Sequence, residues 1–380
     1  MNLSYSYRES NNTTAAPNSK CPEWGQENST LFQVVFISLY SIMGLTALFG
    51  NSFLVKIIFS TPRMKTSFNY FIANMAISDI IVQFCVIPRI ITDILYEARR
   101  WLIGDTIGQI LCKLLYYVQD VCTAVSIECI VLIAIDRFLA VVTPTKVRST
   151  SRGKLRVVII IMTWIIAMVL HAPYLHFTNI RKVAPDVMYC TIDWSPLPDA
   201  VHTKYMSILI VLLFLIPLGI ITILYSIIFM IVKRRKIPGH QSSDRRQFRH
   251  YEKAKTNVLQ LSIAVVAVFI ISWTPTIVNL LLLMTKWGWR VPCDMIPFRF
   301  FALFMNYSNT ATNPWIYFVL SANYRQGIRK LIPCAQWKAQ YQKRLSSRTK
   351  SGTWATHQTD SGAEADIGQT LPELSACTAV

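Results

Sequence analysis

Seven apolar stretches, each long enough to cross a bilayer as a helix, constrain this chain more than any other feature. Covering about 30 Å of hydrocarbon takes roughly 20 largely apolar residues in a helix. The runs at 31–59, 67–94, 110–142, 157–176, 205–232, 258–284 and 295–320 all meet that length. They are too long and too uniformly apolar for the alternating strands of a barrel. The expected fold is an all-α membrane protein, a bundle of seven transmembrane helices. Composition agrees, because charged residues are only 15% of the chain and the AVILMFWYC set reaches 53%. A soluble protein has about 25% charged residues, so the two or three soluble domains that 380 residues would ordinarily suggest are rejected.

The net charge of +18 admits nucleic acid, anionic lipid or cytoplasmic loops as its cause. Its distribution decides. The connections after spans 1, 3, 5 and 7 hold 24 Lys and Arg, counted to residue 350, and the opposite side holds 9. Basic residues collect on the cytoplasmic side, so the N-terminus is expected outside the plasma membrane and the C-terminus inside. Topology thereby accounts for most of the positive charge, and nucleic-acid binding is set aside. Sequons at Asn2, Asn11, Asn12 and Asn28 place glycosylation on the same outer end. Residues 1–31 show no basic-then-apolar leader, so span 1 is expected to act as an uncleaved signal-anchor.

Spans 5 and 6 are free of charge, whereas Lys56, Asp79, Arg89, Lys113, Asp120, Glu128, Asp136, Arg137 and Arg299 lie within spans 1, 2, 3 and 7. Ionisable groups at bilayer depth cost several kcal/mol unless they face the bundle interior with a partner, which makes them functional candidates. Each span also carries its own signature. Span 1 has Gly50-Asn51 and span 2 has Asn74-Met-Ala-Ile-Ser-Asp79. Span 3 opens with Cys112 and closes with Asp136-Arg137-Phe138. Trp164 lies in span 4, and Pro217 with Tyr225 in span 5. Span 6 has Phe269-Ile-Ile-Ser272-Trp273-Thr-Pro275, and span 7 has Asn313-Pro314-Trp-Ile-Tyr317. In this order, over about residues 32–334, the chain resembles the rhodopsin-like (class A) G-protein-coupled receptors.

That resemblance implies several roles. Asn51, Asp79, Ser126, Asn309 and Asn313 would meet at mid-membrane around a sodium ion with waters; the alternative is a neutral hydrogen-bonded cluster that only fixes packing. Arg137 would pair with Asp136 at rest and swing toward Tyr225, Tyr317 and an inserted G protein on activation. Phe269, Trp273 and Pro275 would form a hinge and wedge in span 6, with Pro217 and Pro314 as further kink sites. Three positions depart from the family pattern: Phe138 and Ser272 are mild exchanges, while Lys255 stands where many relatives have an acid able to clamp the arginine. No ionic lock between spans 3 and 6 is therefore expected.

The same resemblance implies a disulfide between Cys112 and Cys190 on the oxidising outer side. Cys21 and Cys293 are also outside and available for a second bridge, whereas Cys85, Cys122 and Cys129 read as packing thiols. After span 7, residues 322–334 read as a short amphipathic interfacial eighth helix with Cys334 as a palmitoylation site. Residues 335–380 form a cytoplasmic tail. From 351 onward it is Ser/Thr-rich and without Lys or Arg, a disordered composition suited to receptor kinases and arrestin. Its end, Thr378-Ala-Val380, suits a PDZ domain.

On the outer half of span 3, Gln119 stands where amine-binding relatives carry an acid, which argues against a biogenic amine. No lysine lies in 295–320, which removes retinal-binding relatives. Gln119 behind Leu114-Leu-Tyr-Tyr117 looks similar to the branch containing neuropeptide FF, neuropeptide Y, orexin, galanin and tachykinin receptors. The expected ligand is a short neuropeptide whose C-terminus reaches Tyr117, Gln119, Trp273, Thr276, Asn279, Arg299, Leu303 and Tyr307. A lipid or other small-molecule ligand is the alternative. A transporter or channel is disfavoured by the lack of internal repeats. An enzyme is disfavoured because His171 and His176 lack a fitting third ligand for a metal, and no metal other than the sodium is expected.

Overall fold

The computed structural model describes residues 30–96, 99–143, 152–234, 242–289 and 291–331. Asn2, Asn11, Asn12, Asn28, Cys21, Cys334 and Thr378–Val380 lie outside them, and the side chains of Lys255 and Cys293 are not described. Seven long helices appear in the expected places. They are α1 (Thr30–Ser60), α2 (Ser67–Leu95), α3 (Asp105–Val142), α4 (Arg152–His171), α5, α6 (Ser242–Thr285) and α7 (Ile296–Leu320). Helix α5 is composite: Asp199–Ile210, a π-helical turn at Val211–Leu215, and Ile216–Arg234. The turn has a cause in the sequence. Pro217 cannot donate to residue 213 and its ring crowds that carbonyl, and a wider turn relieves both.

Helix ends depart from the apolar runs in an informative way. Helix α3 starts five residues before its run and α6 sixteen before, with polar and charged turns that extend beyond hydrocarbon. Helix α4 stops at His171, short of the expected 176, because Pro173 opens a separate short helix, Pro173–Phe177. Thr66 caps α2 by accepting the Asn69 amide at 3.4 Å.

Beyond the bundle, β1 (Arg100–Trp101), β2 (Thr178–Ala184) and β3 (Val187–Ile192) make an antiparallel sheet in the order β1-β3-β2. The Cys112–Cys190 disulfide ties β3 to the first turns of α3, with Cα atoms 5.8 Å apart. Gln109 reinforces the joint by accepting the Ile180 amide and donating to Asn179, both at 3.0 Å.

The bundle is apolar outside and polar within. Ile42, Phe49, Phe84, Val169, Ile223, Phe229, Ile271 and Val319 are all at least 60% exposed, whereas Asn51, Asp79, Gln83, Gln119 and Asn313 are at most 1% exposed. Water would favour the reverse arrangement; lipid favours this one. Five helices are long and apolar enough by themselves to cross a membrane. The remaining two, α3 and α7, carry the ionisable series Lys113 to Arg137 and the amide and hydroxyl run Asn306 to Asn313. The chain is an all-α multi-pass membrane protein. Ala322–Leu331 forms α8 in a second compact unit that begins at Ala322, with its Arg and Asn residues interleaved with apolar ones as an amphipathic helix requires.

Candidate functional site

Polar side chains line the bundle interior at three levels. At mid-membrane, Asp79 is fully buried on α2. Its Oδ1 accepts Ser126 Oγ from α3 at 2.8 Å, and its Oδ2 accepts Asn313 Nδ2 from α7 at 3.1 Å. Ser78 adds a hydroxyl pair with Ser126 at 2.7 Å. Asn51 bridges α1 to α7 by donating to the carbonyls of Ala47 and Thr310 at 2.9 and 3.0 Å. Acceptors outnumber donors here: the Oδ1 atoms of Asn51, Asn309 and Asn313 are buried without a hydrogen bond. A cavity beside them offers about 20 Å³ to the centre of a water-sized sphere and is lined by Asp79, Ser126, Asn309 and Trp273. That is room for about one water or a small ion.

At the inner end of α3, Arg137 Nη2 donates to Asp136 Oδ2. The guanidinium also lies over the Phe68 ring of α2, 4.2 Å from its centroid. Nothing in the sequence flagged Phe68. Tyr225 and Tyr317 belong to the inner parts of α5 and α7, and Tyr317 is 1% exposed. In α6, Phe269 packs 5.8 Å from Trp273 and 5.9 Å from Phe214, below Pro275. Trp273 also lines a second small cavity with Asp120, Thr123, His171 and Phe214.

The outer level is organised by Arg89 of α2. Its Nη2 donates to Tyr307 Oη at 2.7 Å and to Gln119 Oε1 at 3.3 Å, and its guanidinium lies over the Tyr116 ring at 5.1 Å. Asp93, one turn on, stands 3.8 Å from Nη1. Two expected ligand residues, Gln119 and Tyr307, are thus joined by an arginine that no motif singled out. Tyr117 is not brought to them: its hydroxyl donates to the Met168 carbonyl of α4 at 3.2 Å. Helical phase explains the exchange, since 116 and 119 share a face of α3 and 117 is turned about 100° away. Thr276 joins α6 to α7 through the Ala302 carbonyl at 2.9 Å, and buried Asn279 keeps its Oδ1 without a partner. Leu303 packs on the core of α1, α2 and α7, and Arg299 sits half-buried in the first turn of α7. Above them Phe177, Trp194, His202 and Trp289 stack in series, with centroids 4.2, 4.8 and 3.6 Å apart.

Three comparisons bear on this arrangement. The chain is 29% identical to the RYamide receptor of Tribolium castaneum over 81% of this chain and 84% of that one. It is 28% identical to neuropeptide FF receptor 2 of Mus musculus over 83% and 76%, and 27% identical to neuropeptide Y receptor type 2 of Homo sapiens over 80% and 77%. The family model of the seven-transmembrane receptors (rhodopsin family) matches residues 50–317, from the span 1 signature to Tyr317. With its polar levels turned inward and each signature on the helix expected of it, the chain belongs to the rhodopsin family of seven-transmembrane receptors.

Proposed function

We propose that this receptor binds a short peptide from outside the cell and passes that binding to a heterotrimeric G protein. The carrying observation is the polar series inside the bundle: the Arg89–Gln119–Tyr307 cluster, then Trp273 and the Asp79 cluster, then Arg137 near the inner end of α3. A ligand shifts a conformational equilibrium only by its differential affinity for the two states. Trp273 lines two small cavities, one of them shared with Asp79, so a ligand that shifts α6 changes the packing around Asp79. Opening the inner end of α6 would free Arg137 from Asp136 and Phe68. The names of the relatives, all peptide receptors, support the ligand class, and a neutral Gln119 in place of an acid supports it further.

The Asp79 cluster suits a sodium ion. A carboxylate, the Ser126 hydroxyl and amide oxygens without hydrogen bonds are hard oxygen donors, the type that non-transition cations prefer. When bound, the ion would supply positive charge beside Asp79, and it would favour the state in which these oxygens stay together. The charge bias of the connections supports an N-terminus, with its sequons, outside the plasma membrane. Recruitment of receptor kinases and arrestin would use the Ser/Thr-rich tail.

An unbiased peptide screen with a calcium or G-protein-dissociation readout tests the reading. Activation by a peptide is expected, and Arg137→Ala should abolish the response at unchanged peptide binding. Responses only to monoamines or lipids would remove the peptide; an unaffected Arg137→Ala receptor would remove the proposed switch.

A further inference from the structure

Just beyond α2 the chain makes a costly turn. Arg99 has φ +68°, a left-handed conformation that an ordinary side chain disfavours. Two bonds hold it there. Its amide donates to Asp93 Oδ1 at 2.7 Å, and its carbonyl accepts the Cys190 amide at 3.0 Å, next to the disulfide. The clamp turns the side chain inward rather than to solvent, so that Arg99 is only 5% exposed and its Nη1 is buried with no acceptor. Burial holds this guanidinium below the usual arginine range; Tyr116 and Asp93 oppose the effect, and the positive charges of Arg299 and Arg89 add to it.

Arg89, 9% exposed, presents a similar deficit, since its Nε is buried without a partner. Asp93 is a poor counter-ion for the pair: one oxygen is committed to the Arg99 backbone amide and the other lies 3.8 Å from Arg89. Gln119 has its oxygen turned to Arg89, which leaves its amide N–H groups as what it offers a ligand. The outer floor is therefore rich in donors and positive charge. A buried charge without a partner is costly, and a planar anion with two acceptor oxygens fits guanidinium donors best.

We infer that the peptide carries a carboxylate which Arg99 and Arg89 hold at the outer end of the bundle. This rests on the peptide reading above. A free C-terminus or an Asp or Glu side chain could supply the group. An ammonium or guanidinium at this point would meet like charge.

The test uses three pools of synthetic hexapeptides on cells expressing the full chain. One pool has free C-termini and no acidic side chains, one is amidated with a single Asp or Glu, and one is amidated without any acid. A response from either carboxylate-bearing pool, at concentrations at least about tenfold below the acid-free pool, is expected, and the responding pool names the source of the group. Arg99→Met should then raise the half-maximal concentration of the active peptide about ten- to hundredfold at equal surface expression. Arg99→Glu should shift the preference toward the same peptide with Lys in place of its acid, which a purely structural role would not produce. A response confined to the acid-free pool, or an Arg99→Met receptor within twofold of wild type, overturns the inference while leaving a peptide receptor. Silence from all three pools overturns the peptide reading and this inference with it.

Discussion

Asp79 and Arg89 lie ten positions apart on α2, on the order of 15 Å along the helix axis, and they solve the burial of charge in opposite ways. Asp79 is a carboxyl group whose two oxygens each accept one bond from a neutral donor, among amide oxygens that are left over. Arg89 is a cation with a distant carboxylate, a hydroxyl, an amide oxygen and the face of a ring, among N–H groups that are left over. The first neighbourhood suits a cation and the second an anion. One helix therefore presents two sites of opposite preference, one toward its outer end and one at mid-membrane beside Trp273 of α6 and Asn313 of α7. The contrast also separates stability from signalling: Arg89 joins three helices by itself, whereas Asp79 shares that task with Ser78, Asn51 and Gln83.

The largest expected effect follows from that last difference. Arg89→Met would leave Asp93 without its cation and the Gln119 and Tyr307 oxygens without their donor. Removing one partner of a buried charged pair costs about 3 kcal/mol, so the detergent-solubilised receptor should melt several degrees lower. Asp79→Asn keeps the shape and the Ser126 bond and should melt much closer to wild type. If Asp79→Asn proved the more damaging of the two, the inner anion would be a structural charge and the contrast would fail.

The second effect is smaller and specific to the inner site. An ion that binds only the folded receptor stabilises it by about 1 kcal/mol at tenfold excess over its dissociation constant. Melting in sodium chloride should exceed melting in choline chloride for wild type and for Arg99→Lys, and Asp79→Asn should abolish the difference. Equal melting of wild type in the two salts would reduce the cluster to the neutral packing alternative.

The two sites were not equally legible in the sequence. Each helix was visible in its apolar run, and the inner site in its residue types, because Asn, Asp and Ser at bilayer depth have few roles other than to find one another. The outer site depends on geometry that composition does not encode. Arg89 stood out as an ionisable residue but without a partner, since Gln119 and Tyr307 are distant in the chain. Arg99 is one basic residue of the connection between spans 2 and 3, and only its positive φ and the Asp93 clamp turn it inward. The residue types alone point to Tyr117, whereas the rotational phase of α3 turns Tyr116 toward Arg89 and Tyr117 toward α4. Phe68 lay hidden among apolar residues, where stacking under Arg137 leaves no compositional trace.

Glu128 of α3 provides the smallest test and a third case for the comparison. It is half-buried at bilayer depth, two residues from Ser126, yet among the described residues it forms no hydrogen bond or ion pair. Where Asp79 has donors and Arg89 has acceptors, Glu128 has only the cost of its burial. Replacing it with an apolar side chain of similar length should therefore remove a penalty and break nothing. Glu128→Met is expected to stabilise the solubilised receptor by about 1 kcal/mol, a modest cost relative to full insertion of a charge because a half-buried side chain can reach toward polar surroundings. Peptide potency should stay within twofold, since Glu128 lies on neither polar face. A lowered melting temperature would mean that this carboxyl has a partner outside the single chain, in lipid or in a second receptor, and that the bundle holds a third functional ion rather than two.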